Sequence, residues 1–256
     1  MRICLIGAGN LATQLGMALS EKGHQIVQVW SRTAKSASDL ASKLGCEYTT
    51  EITSIKTDTD IYLLAVSDSA IETVLSMRVW DATPVVHTAG SIPMNILSPY
   101  AVNFGVFYPF QTFSIGKRID FDRIPVCIEA NTPYNLELLK ELGRSVSRDI
   151  RILDSRQRRQ IHLAAVFVCN FVNHFYAIGE AILDEAGIGF EILKPLILET
   201  ASKVTSQSPA SAQTGPAARD DKKVIAQHLE LLKHHPDLQN LYALISERII
   251  QTHKKL

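Results

Sequence analysis

No sign of charge predominates in this chain. Lys and Arg number 26 and Asp and Glu also 26 over 256 residues, so the formal net charge is zero. The broad basic field that holds nucleic acid non-specifically is therefore missing. Cysteine is scarce and scattered, at Cys4, Cys46, Cys127 and Cys169, with no CxxC pair and no His-rich spacing beside it. That spacing offers no metal-ligand set or disulfide framework and reads as buried thiols in a reducing cytoplasm. Long apolar runs are also absent. The longest, Leu163 to Val172, contains Asn170 and has about ten residues, against the roughly 18 a membrane span needs. The start does not read as a leader: the apolar run after Arg2 is broken at Gly7 and suits a strand better. The expectation is a cytoplasmic protein that binds neither nucleic acid nor membrane.

What is present is alternation. The length suits two domains. Ile3 to Ile6 is a short apolar run typical of a strand buried on both faces. Asn10 to Lys22 follows with helical periodicity, Leu11, Leu15, Ala18 and Leu19 sharing one face before Gly23. Gln25 to Trp30 reads as a second strand and Lys35 to Leu44 as a second helix closed by Gly45. A short strand at Cys46 to Thr49, strands at Asp60 to Val66 and Pro84 to Thr88, and a helix at Ser69 to Met77 continue the pattern. Further strands are expected at Phe104 to Tyr108, Val126 to Glu129 and Asp149 to Ile152, with a helix at Pro133 to Leu142. This order implies an α/β fold: a doubly wound, mostly parallel sheet of Rossmann type over residues 1–153.

Residues 154–256 read as an all-α C-terminal domain for substrate binding and dimerisation. Helices are expected at Ser155 to Glu185, Phe190 to Val204, Asp221 to Lys233 and Asp237 to Lys254, with a loop at Thr205 to Pro216. The first is long, about 45 Å at 1.5 Å per residue, and apolar on more than one face, from Leu163 through Val166, Phe167 and Val168 to Phe171 and Val172. Such a helix needs burial nearly all round. A homodimer through the helical domain is the expectation.

Gly7-Ala8-Gly9-Asn10-Leu11-Ala12 matches the dinucleotide fingerprint GxGxxG/A between a strand and a helix. Gly7 permits the tight turn and Gly9 lets backbone approach a pyrophosphate. Ala12 keeps helix and strand close, and the N–H groups opening the helix face the phosphates. NAD-binding domains usually end the second strand with a carboxylate for the ribose 2′-hydroxyl. Here it ends Ser31-Arg32-Thr33, two hydroxyls and a guanidinium, which suits the 2′-phosphate of NADP. Val66 and Ser67, at the end of a later strand, are expected to line the nicotinamide side. Asp68 reads as a helix cap.

Further polar clusters stand at His87-Thr88-Ala89-Gly90-Ser91, at Tyr108-Pro109-Phe110-Gln111-Thr112-Phe113, at His162 to Asn170, and at Thr214 to Asp221. With GAGNLA at the start, these motifs make nearly the whole chain resemble the Rossmann-like NADP oxidoreductases that carry a C-terminal helical domain of unknown function. That group lies in the 6-phosphogluconate-dehydrogenase-like superfamily, with pyrroline-5-carboxylate reductase, ketopantoate reductase and the deazaflavin-dependent NADP reductases. The resemblance implies the fold, the cofactor NADP and hydride transfer; it leaves open whether a flavin or deazaflavin is the second redox partner. Three features depart from it. Tyr108 stands where the group often has His, Asp220 follows Arg219 where it often has Gly, and Val166 stands where the superfamily's hydroxyacid dehydrogenases keep a Lys four residues before Asn170.

Hydride transfer is the cofactor's chemistry, so the protein must orient the reactants and supply a proton. His87, at a strand end, is the first candidate, then His162 and Tyr108. Asn170, Asn173 and His174 lie within about one helical turn and could form one polar cluster against a small-molecule substrate. His162 and Asn173 share a face on ideal helical spacing but stand about 16 Å apart. Arg219 is placed either to clamp a substrate carboxylate or to pair with Asp220 or Asp221. The sequence therefore reads as an NADP-dependent oxidoreductase of a small C=O or C=N substrate held between the domains; a non-catalytic NADP-binding sensor is the alternative.

Overall fold

The structure, a computed structural model, describes residues 1–114, 116 and 119–254. The chain groups into two compact units, Met1–Val172 and Asn173–Leu256. The long helix thus contributes its first turns to the sheet unit, although the sequence pattern assigned everything after residue 153 to the helical half.

In the first unit, β1 (Arg2–Ile6), β2 (Gln25–Trp30), β3 (Glu47–Thr49), β4 (Ile61–Leu64), β5 (Val85–His87), β6 (Phe104–Pro109), β7 (Val126–Ala130) and β8 (Ile150–Ile152) form one eight-stranded sheet ordered β3-β2-β1-β4-β5-β6-β7-β8. All neighbours pair in parallel except β6 with β7. Strand order reverses between β1 and β4, and ligands of such sheets bind at the carboxyl ends beside that switch.

Helices α1 (Asn10–Glu21), α2 (Ala34–Leu44), α3 (Ile71–Ser76) and α4 (Pro133–Val146) accompany the sheet. Alternation along the strands divides the core in two. Ile3, Leu5, Leu63, Val86, Phe107 and Ile128 pack one cluster on one face. Cys4, Ile6, Tyr62, Leu64 and Val85 pack the other. Gly45 ends α2 in the left-handed conformation, at φ 64°, as its position after a periodic helix implies. Helix α4 runs past Leu142 to Val146, and Gly143 within it packs against the end of the Ile150 side chain. The expected single helix Ser69 to Met77 opens instead as a 3-10 turn, Asp68–Ala70.

After β8 the chain is helical: α5 (Ser155–Ala165), a π-helical stretch over Val166–Phe171, α6 (Val172–Glu185), α7 (Lys194–Ser206), α8 (Pro209–Ala212), α9 (Lys222–Leu231) and α10 (Pro236–His253). Asp154 starts α5 with a capping box, accepting from the Gln157 N–H while Gln157 accepts from the Asp154 N–H. The π turn widens the helix by about one residue, so the face arithmetic linking His162 to Asn173 does not hold. Helix α8 occupies part of the stretch expected to be loop. Over 155–185 the helix reaches a mean hydropathy of 1.5 in its most apolar 18-residue window, with none of that window buried. By length and composition it is apolar enough to cross a bilayer. Counting uninterrupted apolar residues missed this, because isolated polar residues scarcely lower a windowed mean.

Candidate functional site

The glycine loop has the geometry its sequence demands. Gly7 adopts φ 121°, and a Cβ there would stand 2.3 Å from the Ala65 carbonyl oxygen. Its N–H donates to the Trp30 carbonyl at 2.7 Å. Only glycine fits between β1 and β4 at this crossing. At Gly9 an added Cβ would meet nothing within 4 Å; that position opens on free space. Gly9 is the N-cap of α1, no side chain caps the helix and its first turn has no acid. The opening N–H groups are thus unopposed, and the helix dipole adds its positive end. Leu11 packs against the core and Ala12 is fully buried, so both present backbone rather than side chain. Asn10 is committed elsewhere: its amide donates to the Phe113 carbonyl at 3.0 Å, tying the segment after β6 to the start of α1.

A groove of about 290 Å³ does not lie here; it belongs to the helical unit and is lined almost wholly by apolar side chains such as Phe175, Ile178 and Leu241. The groove at the glycine loop measures about 250 Å³ and is lined by Gly7, Gly9, Ser31, Arg32, Val66 and Ser67 among others. Strand ends, glycines and the N–H groups opening α1 converge on this smaller groove. Arg32 is exposed and makes no ion pair or hydrogen bond among the described residues, so its guanidinium is free for a ligand. Thr33 is less free, since its hydroxyl donates to Ser36 Oγ at 2.9 Å at the start of α2.

The second half of the site stands at the ends of β4, β5 and β6. Tyr108 Oη lies 3.2 Å from His162 Nδ1, and their rings meet edge to face. Gly90 is what lets them approach. A Cβ there would fall 2.6 Å from Tyr108 Cζ, 2.8 Å from its hydroxyl and 2.7 Å from His162 Nδ1. The Tyr108 hydroxyl is pushed up to about 12, mainly by burial, with nearby Cys127 and Asp68 adding and Arg158 opposing. It therefore keeps its proton at neutral pH. Asp68 does not act as the helix cap that its position implied; its carboxylate accepts a short hydrogen bond from the Ser91 hydroxyl, joining the ends of β4 and β5.

His87 is present but differently employed. It is fully buried, its Nδ1 accepts from the Ala89 N–H at 3.2 Å, and its Nε2 has no hydrogen-bond partner. Burial chiefly, and the Arg158 charge next, lower it to about 3, against a small opposing pull from the Pro93 carbonyl. A histidine held neutral and sealed from solvent is poorly placed to deliver protons, so the preference for His87 over Tyr108 and His162 is reversed.

The expected polar cluster on the long helix is not formed: no hydrogen bond joins the exposed residues Asn170, Asn173 and His174 among the described residues. The π turn falls on this stretch and breaks the regular spacing. Arg219 also departs from its bland expectation. Asp220 pairs with Lys254 at 3.2 Å and Asp221 caps α9 through the Val224 N–H, leaving the Arg219 side chain without an ion pair among the described residues. No group of three or more His, Cys, Asp or Glu that could hold a metal occurs among the described residues.

Sequence reasoning passed over Gly90, Arg158 and Glu129. Gly90 was visible inside HTAGS, but the two side chains crowding it are 18 and 72 positions away. Arg158 sits in a run with Arg156 and Arg159, and only the helix phase against β7 decides which of the three is buried.

Residues 2–89 match the family model described as NADP oxidoreductase, coenzyme F420-dependent, and residues 124–249 match a domain of unknown function, DUF2520. No curated protein matches the chain. A Bacteroides fragilis protein named "putative NADP oxidoreductase" is 44% identical, with a TM-score of 0.90 and 98% of each chain covered. A Thermotoga maritima protein is 21% identical at a TM-score of 0.82, covering 98% of this chain and 99% of its own. The 1-pyrroline-5-carboxylate reductase of Streptococcus pyogenes shares the fold, at 18% identity and a TM-score of 0.67, with 100% of this chain and 99% of that one covered. The glycine loop, the strand-end polar residues and a 44% identical relative over the full length lead to one conclusion: the chain belongs to the NAD(P)-dependent oxidoreductase family in which a Rossmann domain precedes a DUF2520 domain.

Proposed function

We propose that the protein reduces a small C=O or C=N compound with NADPH, and that Tyr108 provides the proton. The observation that carries this reading is the 3.2 Å contact between Tyr108 Oη and His162 Nδ1 at the strand ends that also bear the nucleotide groove. Gly7, Gly9 and the opening turn of α1 would hold the pyrophosphate, Val66 and Ser67 the nicotinamide ribose, and Arg32 the 2′-phosphate. The free guanidinium of Arg32 and the absence of a carboxylate at the end of β2 favour NADP over NAD. Bound there, NADPH supplies the hydride to the substrate carbon. Tyr108 holds its proton until negative charge develops on the substrate heteroatom, then donates it. His162 Nδ1 accepts from the Tyr108 hydroxyl between turnovers and orients it, and solvent returns the proton to the phenolate. Reduction of C=N is the preferred form, because the pyrroline reductase shares the fold; Tyr108 then protonates the neutral imine nitrogen as hydride reaches its carbon.

A second copy of the chain is proposed to cover the exposed apolar helices. Phe167, Phe171 and Phe175 stand 59%, 46% and 42% exposed along the long helix. Exposed Asn170, Asn173, His174 and Glu180 interrupt it, and polar groups of that kind suit a protein interface better than lipid. A cytoplasmic location fits the four free cysteines.

The test is NADPH oxidation against a panel of cyclic imines and small ketones, with wild type and Tyr108→Phe side by side. Turnover that falls about 10²-fold or more in the variant, with NADPH affinity retained, supports the reading. Equal turnover in both removes Tyr108 as the donor. NADPH binding with no turnover on any substrate would favour the sensor.

A further inference from the structure

Beneath the Tyr108–His162 pair lies a buried ionic knot that neither the cofactor nor the proton step requires. Arg158 is 1% exposed. One guanidinium nitrogen, Nη1, donates a short hydrogen bond to the Glu129 carboxylate on β7. The other, Nη2, donates to the Ile92 carbonyl at 2.6 Å and to Ser155 Oγ at 3.2 Å. Ser155 in turn donates to the same Glu129 oxygen at 2.8 Å and accepts from the Met94 N–H at 2.9 Å. The loop after β5 is therefore pinned at two backbone points, Ile92 and Met94, by the first turn of α5.

Register places this knot directly beside the proton pair. In the antiparallel ladder Glu129 faces Val106 and Cys127 faces Tyr108, so Tyr108 and Glu129 rise from the same side of the sheet. His162 stands four residues after Arg158, on the same helical face. Gly90 is two residues before the pinned Ile92, and it touches both Tyr108 and His162. Gly90 meets Tyr108 of β6 and His162 of α5, while Arg158 joins the same loop and helix to Glu129 on the neighbouring strand β7.

Resting on the reading that this pair delivers the proton, we propose that Arg158 is its positioning residue: its fork to Glu129, Ile92 and Ser155 holds the Gly90 loop and α5 so that Tyr108 Oη and His162 Nδ1 share one hydrogen bond. A buried ion pair is a poor way to gain stability, because desolvating both charges offsets most of their attraction. What the fork does provide is direction. Its two terminal nitrogens fix a carboxylate and a carbonyl at set angles, which the single ammonium of lysine does not reproduce.

The experiment reads the pair itself, without needing the substrate. Imidazole nitrogen resonances of His162 are recorded in protein carrying ¹⁵N-histidine, assigned by their loss in His162→Asn. With Tyr108 donating to Nδ1, one tautomer dominates; Tyr108→Phe gives the reference for a broken contact. In Arg158→Met the His162 signals are expected to move to that reference while NADPH affinity stays within about twofold, since the glycine loop is untouched. Arg158→Lys should move them part of the way. Ser155→Ala, which removes the Met94 pin and the Ser155 bonds to Glu129 and Arg158 while leaving Arg158 its bonds to Glu129 and Ile92, should move them less and in the same direction. A folded, NADPH-binding Arg158→Met protein with unchanged His162 signals overturns the proposal. If Arg158→Met does not fold, Ser155→Ala decides: unchanged signals there overturn it equally. A role in stability alone would lower the melting temperature and leave the tautomer in place. Moved signals in a protein whose turnover does not depend on Tyr108 would uphold the positioning and reject the proton role instead.

Discussion

The two units of this chain bury their apolar residues very differently. In Met1–Val172 the sheet is covered on both faces by continuous clusters, with Ile3, Leu5, Leu63, Leu64 and Phe107 fully buried. In Asn173–Leu256, Ala217 and Ser246 are the buried residues among those described, while Ile192, Leu196 and Leu198 are 67%, 62% and 70% exposed. The first unit is a finished layered core, able to hold strand-end side chains at fixed positions. The second has apolar surface still to bury. The proposed proton step draws on the first, and the proposed second copy would cover the exposed apolar residues of the second.

Paired truncations would break this contrast if it is wrong. Leu63→Ala in the sheet core should cost about 2–5 kcal/mol, by the same amount at any protein concentration. Leu198→Ala should cost little in dilute protein and more as concentration rises, because its loss would be felt in the proposed assembly with a second copy. Thermal unfolding at two concentrations separates the cases; a concentration-independent loss at Leu198 would contradict the assembly role.

Gly90→Ala sharpens the same contrast inside the sheet unit. The added methyl meets the movable ends of Tyr108 and His162 rather than backbone. The pair should part, with turnover falling about 10²-fold and melting temperature little changed. A large drop in stability with normal turnover would reverse the roles assigned to packing and chemistry.

Arg32→Asp acts at the rim, where the guanidinium is exposed. NADPH affinity should fall by roughly 10- to 100-fold, that is about 1.4–2.7 kcal/mol, while NADH affinity holds or improves. Equal losses for both would show that Arg32 does not read the 2′-phosphate.

The last prediction concerns the pH dependence set by His87. Its folded value, about 3, lies below the unfolded 6.5. The unfolded chain therefore binds a proton that the folded chain refuses between those values. Stability should fall as pH drops from about 6.5 toward 3, by at most about 1.4 kcal/mol per pH unit from this group. His87→Gln should flatten that slope in urea titrations; an unchanged slope would mean His87 is not kept neutral.

Local signals were legible where local physics decides. β2 spans Gln25–Trp30 as its pattern implies, Gly45 closes α2 with the left-handed turn expected of it, and Gly7 makes the tight turn read from its spacing. The second half of the site was hidden because it is made by approach rather than by motif. Tyr108 and His162 are 54 positions apart, and nothing in either segment encodes their meeting. His87 looked active because strand ends usually are, yet it is fully buried with Nε2 unpartnered. The π turn was equally invisible, since residues 166–171 have ordinary helical composition, and it displaced the face arithmetic for Asn170, Asn173 and His174.

The central claim is that the glycine loop and Arg32 form a working NADP site, and calorimetric titration of NADPH and NADH into the purified protein tests it most directly. The account predicts tight NADPH binding, NADH weaker by about tenfold or more, and loss of that preference in Arg32→Asp. Binding of neither nucleotide to the folded protein would contradict it.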